Sequence, residues 1–85
     1  MDTTTLRTFI ALAQIKNFTK TAQQLFVAQS TVTNRIRDLE MELGVPLFIR
    51  SHKQVDLTAS GQKFLDYAQR FVSLELTALQ DIQAS

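Results

Sequence analysis

Apolar residues recur at three- and four-residue steps along most of this chain, and the recurrence changes phase at a few polar or conformationally special residues. Leu6, Phe9, Ile10 and Ala13 predict an opening helix from about Thr4 to Lys16, with Asn17 as a left-handed stop. A second, short helix beginning near Thr19 offers Ala22, Leu25 and Phe26 to the same core, and the small Ala22 lets a neighbouring helix come close. For the third helix, at about 100° per residue and with Val32 as the zero direction, Ile36, Leu39 and Leu43 fall within roughly 40°. Those four residues make one apolar stripe. Gly44 and then Pro46 supply the usual helix end.

The other side of that third helix carries different chemistry. Ser30, Asn34 and Arg37 point away from the stripe, flanked by Thr31 and Thr33. Short donors and acceptors beside one long cation let a helix axis approach base edges, which suits a helix laid in the major groove of DNA. Two short amphipathic helices joined by a tight turn, spanning Asn17 to Glu40, are the pattern of a helix-turn-helix unit. A bland polar face is the competing reading, since every surface helix has one. The second functional alternative is a protein-interaction module that assembles without DNA; such docking faces carry aromatic or aliphatic anchors at their centre, whereas residues 30 to 37 present small, polar and basic groups outward.

Beyond Pro46, two short extended segments, Leu47 to Arg50 and Gln54 to Leu57, flank the polar turn Ser51-His52-Lys53 and read as a hairpin wing. A last helix starts at Thr58, a good N-cap, and runs towards the end of the chain. Leu65, Ala68, Val72, Leu79 and Ile82 recur along it, Glu75 interrupts them, and Phe64, Phe71, Leu74 and Ala78 widen the apolar surface. At 1.5 Å per residue such a helix is roughly 40 Å long and outruns a small domain. Part of it is expected to pack at home and the rest on a second copy, with Leu65, Val72, Leu79 and Ile82 as the seam and Phe71 and Leu74 at its flanks.

Charge sharpens this picture. The net charge is only +1, but two unlike regions cancel to produce it. Between residues 16 and 53, Lys16, Lys20, Arg35, Arg37, Arg50 and Lys53 face only Asp38, Glu40 and Glu42; elsewhere acidic residues are in excess. The positive region coincides with the candidate reading helix. Gln29, Ser30, Thr31, Thr33 and Asn34, at its N-terminal end, are the candidate base contacts. Thr19, Arg35, Arg37, Arg50, His52 and Lys53 are candidates for the DNA backbone or the adjoining minor groove.

Catalytic chemistry finds little material. His52 is the single histidine and lies in a surface turn, Glu40 and Glu42 diverge by about 200° on a helix, and two glycines make no phosphate-cradling loop. With no cysteine there is no disulfide and no thiolate metal site. Neither an enzyme nor a cofactor is expected of this domain. A length of 85 residues with 45% hydrophobic content fits one folded domain. No basic-then-apolar leader and no membrane-length apolar run is visible, so the expected compartment is the cytoplasm, with no membrane partner.

Residues Leu6 to Tyr67 resemble the N-terminal DNA-binding domain of LysR-type bacterial transcriptional regulators. The features that carry the resemblance are LRTF, NFTKTAQQL, QSTVTNRIRDLE, ELGVPLFIR and LTASG, in the family's order and spacing. It implies a mainly α winged helix-turn-helix over residues 1–58, with a three-helix core, the motif at about 18–37 and the wing at about 47–57. A linker and dimerisation helix at 59–85 follows. It also implies homodimeric binding to an inverted-repeat promoter site, with a tetramer of the full-length protein and contact with RNA polymerase left open. A small-molecule effector is expected only for a separate C-terminal domain that this chain lacks. Three positions depart from the family pattern. Ala28 stands where a capping Ser or Thr is common, leaving Gln29 or Ser30 to satisfy the first amides; Asn34 stands for a common Arg, and Thr33 for Ser. The turn glycine of many such motifs is replaced near Phe26, as is usual in this family.

Overall fold

The elements run α1 (Thr3–Ile15), α2 (Phe18–Leu25), α3 (Gln29–Leu43), β1 (Phe48–Arg50), β2 (Val55–Leu57) and α4 (Ala59–Gln83). This is a computed structural model, and it describes residues 1–51 and 54–85. Helix α1 begins at Asp2, whose carboxylate accepts from the Thr5 amide at 2.7 Å; that bond holds the Asp2 carboxyl below the ordinary carboxylate range. Nearby, the Met1 α-ammonium donates to Glu42 Oε1 at 2.8 Å, which raises the amine's pKa.

The junction between α1 and α2 corrects one expectation. Lys16, with φ 58, takes the left-handed position and sends its N–H to the Leu12 carbonyl, while Asn17, with φ −153, caps α2 and accepts from the Lys20 amide at 2.8 Å. Only two residues separate the helices, so one residue must end α1 and the next must start α2. A side-chain acceptor is useful in the second role, where it satisfies a free amide. Helix α2 consequently starts at Phe18, one residue earlier than the pattern indicated. The turn into α3 has no glycine: Phe26 holds φ 58 and is 94% exposed, so it lies outside the core to which the pattern assigned it, because the left-handed turn that ends α2 takes it off the helix's apolar face.

Phe9 is the centre of the core. Fully buried, it meets Phe48 and Phe64 with ring centroids 5.4 and 5.3 Å away, both tilted. Around it lie Leu6, Leu12, Ala22, Val32, Ile36, Leu39, Leu47 and Ala68, so that all three N-terminal helices, the wing and α4 share one apolar cluster. The wing is antiparallel, pairing Phe48 with Leu57, Ile49 with Asp56 and Arg50 with Val55. Each strand is one residue shorter than the pattern indicated. Leu47 cannot join the ladder because its N–H donates to Glu40 Oε2 at 2.7 Å and its carbonyl accepts from the Thr58 N–H at 2.9 Å. Gln54 instead closes the turn, its carbonyl accepting from the Ser51 amide at 3.0 Å.

Thr58 caps α4, accepting from the Gly61 amide at 2.9 Å and donating its hydroxyl to the Pro46 carbonyl at 2.8 Å. Thr3 and Arg7 both donate to Glu75, while Phe9 reaches Phe64, so α1 runs antiparallel along α4. That packing places Phe64, Leu65, Ala68 and Val72 against the domain's own core. Leu65 and Val72 are therefore removed from the expected dimer seam: α1 already covers the face they occupy. Phe71, Leu74, Leu79 and Ile82 remain at least half exposed, joined by Tyr67 and Leu76. The overall extents of 50 × 27 × 19 Å reflect a helix that continues past its domain. No helix among the described residues is long and apolar enough to cross a membrane.

Gly61 is the tightest point of this assembly, since a Cβ there would run into the Leu47 carbonyl oxygen, a backbone atom with no freedom to swing aside. Gly61→Ala is expected to destabilise the fold by about 1–3 kcal/mol, a fall in Tm of roughly 4–8 °C per kcal/mol for a domain of this size. Thermal unfolding followed by circular dichroism checks it; a Tm within about 2 °C of the parent would show that the contact relaxes without cost.

Candidate nucleic-acid interface

The buried stripe of α3 fixes what its other side presents. Val32, Ile36 and Leu39 are at most 1% exposed, which turns Gln29, Ser30 and Asn34 fully outward and leaves Thr31 and Thr33 half-buried at the edges. The five candidate base-reading residues therefore occupy one continuous surface at the start of the helix. Ala28, in the cap position, contributes no side-chain bond, and neither Gln29 nor Ser30 takes over that role. Gln29 is engaged elsewhere: its Oε1 accepts from the Thr19 hydroxyl at 3.1 Å. That bond joins the starts of α2 and α3 and places Thr19 beside the row.

Further along α3, Asn34 and Arg37 are both exposed, and the Arg37 Nη2 group donates to Asn34 Oδ1 at 2.8 Å. Arg35 is directed the other way. Its Nη1 donates to Thr8 Oγ1 at 3.1 Å, and the same hydroxyl donates to the Thr4 carbonyl at 3.0 Å. Thr8 is 1% exposed, so Arg35 helps satisfy a buried hydroxyl of α1 and does not stand in the outward row. Its angle on α3 puts it at the flank; the position of α1 decides which way the flank faces.

The wing supplies a second cationic element. The Arg50 guanidinium lies 4.9 Å above the centroid of the Phe18 ring and 4.0 Å from Glu40 Oε1, which brings it beside the start of α2. Phe18 and Glu40 are the two residues whose importance here was not legible in the sequence. Phe18 is the ring under Arg50, and Glu40 accepts from the Leu47 and Phe48 amides with its other oxygen. A carboxylate one turn before Gly44 on an amphipathic helix gave no sign of reaching a strand. His52 and Lys53 lie outside the described residues. Lys16, part of the basic surplus, pairs with Asp56 at 3.2 Å.

Comparison with known proteins agrees with this geometry. Residues 3–62 match the family model described as bacterial regulatory helix-turn-helix protein, lysR family. The HTH-type transcriptional regulator HdfR of Escherichia coli O139:H28 is 40% identical over 82 residues, covering 96% of this chain but 29% of the relative. The chain thus spans under a third of the length of the curated relatives it matches. Among solved structures, the DNA-binding domain of CbnR in complex with DNA is similar with a TM-score of 0.95 and 37% identity, covering 99% of this chain and 97% of that one. DarR of Vibrio fischeri in complex with DNA has a TM-score of 0.94 at 32% identity over 99% of this chain and 29% of that one. With its winged helix-turn-helix, its outward polar row and the family match over most of its length, this chain belongs to the LysR family of bacterial regulatory helix-turn-helix proteins.

Proposed function

We propose that this domain binds a specific double-stranded DNA sequence as a homodimer and thereby regulates transcription in the bacterial cytoplasm. The observation that carries the reading is the outward face of α3, small and polar from Gln29 to Asn34, backed by a fully buried stripe and bordered by Thr19 and Arg50. A rigid helix with short hydrogen-bonding side chains can lie deep in the major groove, where base edges are distinguishable. Gln29, Ser30, Thr31, Thr33 and Asn34 are the base-reading residues of this proposal. Thr19, Arg37 and Arg50, with His52 and Lys53 of the wing, meet phosphates or the minor groove; Arg35 is withdrawn because it serves Thr8. Similarity to CbnR and DarR, both solved in complex with DNA, supports double-stranded DNA as the ligand.

One reading helix covers only a few base pairs, so useful specificity needs two of them about 34–36 Å apart. The exposed stripe of α4, centred on Phe71, Leu74 and Ile82 with Tyr67 and Leu79 at its margins, is the surface proposed to join two copies. Effector binding, tetramer formation and contact with RNA polymerase are assigned to the full-length protein.

Three measurements test this reading. Asn34→Ala is expected to weaken binding to a selected operator by about 1–3 kcal/mol and leave random-duplex affinity unchanged; equal losses on both would remove Asn34 from the base-reading set. Arg50→Ala is expected to reduce the slope of log K against log salt by about 0.9 for each phosphate that Arg50 neutralises, with sequence preference intact; an unaltered slope would exclude a phosphate role. For Leu74→Glu, sedimentation is expected to show a folded monomer, because pairing α4 helices would bury an uncompensated carboxylate at a cost of several kcal/mol. A variant that sediments as a dimer would place the interface elsewhere.

A further inference from the structure

Gln29 is the first residue of α3, so no earlier turn of its own helix lies behind it to hold its side chain. A long polar side chain that is ordered only when DNA arrives loses affinity to that ordering. The structure supplies a partner from another element: the Thr19 hydroxyl donates to Gln29 Oε1 at 3.1 Å, joining residues ten positions apart at the starts of α2 and α3. Thr19 itself stands on an anchored turn. Asn17 caps α2 through the Lys20 amide at 2.8 Å, Thr21 and Ala22 of the same helix are buried, and the adjacent Phe18 ring lies 4.9 Å beneath the Arg50 guanidinium of the wing.

We infer that Thr19 is the positioning residue for Gln29, setting the direction in which the Gln29 carboxamide enters the major groove. The bond leaves Oε1 a second lone pair and Nε2 both its hydrogens, so it fixes an orientation and does not by itself choose a base. Both side chains are exposed, and in the free protein water competes for the same groups. Once α3 lies in the groove and that water is displaced, the bond is stronger. A hydroxyl has one hydrogen to give, and phosphate oxygens only accept. With that hydrogen on Gln29, Thr19 meets the DNA backbone through its main-chain amide, a first-turn N–H that the Asn17 side chain leaves free. The inference rests on the proposed placement of α3 in the major groove and goes further by assigning the Thr19 hydroxyl to specificity instead of to a phosphate.

The test is selection of bound sequences from a random duplex library by the 85-residue chain, followed by anisotropy titrations. Gln29→Ala identifies the base position that Gln29 reads, as the one whose preference it abolishes. Thr19→Val keeps the shape of the side chain and removes the hydroxyl. It is expected to flatten the preference at that same position and to weaken operator binding roughly three- to tenfold, with random-duplex affinity within about twofold of the parent and Tm within about 2 °C. Thr19→Ser, which retains the hydroxyl, is expected to restore preference and affinity. In a Gln29→Ala background, where the partner is gone, Thr19→Val is expected to cost less than about twofold. Equal losses from Thr19→Val on operator and random duplex, or an undiminished loss in the Gln29→Ala background, assign the hydroxyl to a phosphate and overturn the inference. A Thr19→Val chain with the parent's preference and affinity, or a Gln29→Ala chain that releases no position, also overturns it, while selective binding by the parent would still stand. A parent chain that binds all duplexes alike, or none, overturns the DNA-binding reading itself.

Discussion

The backbone of Leu47 is held by three elements at once. Its N–H donates to the Glu40 carboxylate of α3, its carbonyl accepts from Thr58 at the head of α4, and its side chain is fully buried in the shared core. A residue leaving the Val45-Pro46 bend has no strand partner, and a buried amide or carbonyl must find another. Because Glu40 and Thr58 supply those partners, the end of the reading helix, the root of the wing and the start of the long helix have one relative position. Gly61 follows from the same constraint, since only a residue without Cβ lets α4 lie so close to that carbonyl.

This constraint links fold to function through distance. In a dimer joined along α4, the separation of two α3 helices depends on the angle at which α4 leaves the domain, and that angle is set where Thr58 and Gly61 meet Leu47. The face of α4 directed inward is closed by α1, with Phe64, Ala68 and Val72 packed on the core. What is left outward, from Tyr67 through Phe71 and Leu74 to Ile82, is more apolar surface than an isolated helix end retains at no cost.

The polar surface is organised by orientation more than by attraction. Exposed ion pairs such as Lys16 with Asp56 contribute roughly 0–1 kcal/mol each, too little to decide the fold. Their effect is to choose which cations stay available. Lys16 is drawn to the wing and Arg35 to the buried Thr8 hydroxyl, while Arg50 is carried on the Phe18 ring beside the start of α2 and Arg37 is bonded to Asn34. A positive surplus counted along the chain is in this way reduced to a few groups with defined directions.

What was legible in the sequence is what local geometry dictates. The apolar stripe through Val32, Ile36 and Leu39, the end at Gly44, the cap at Thr58 and the outward direction of Ser30 and Asn34 all follow from a helical period and from backbone preferences of single residues, whereas the glycine-free turn near Phe26 was legible only through the family resemblance. Motif strings then identified the family. What only the tertiary structure decided concerns residues whose partners are distant along the chain. Arg35 turns inward because α1 brings Thr8 beside it; Leu65 and Val72 belong to the home core because α1 lies along α4; Glu40 serves the wing because Leu47 arrives there with a free amide. Asn17 and Lys16 exchanged roles for a related reason, since the close succession of two helices, and not the preference of either residue alone, set which would cap and which would turn. Period determines the angle at which a side chain leaves its helix, but it carries no information about what stands opposite, and for a flanking or bifunctional residue the neighbour determines the role.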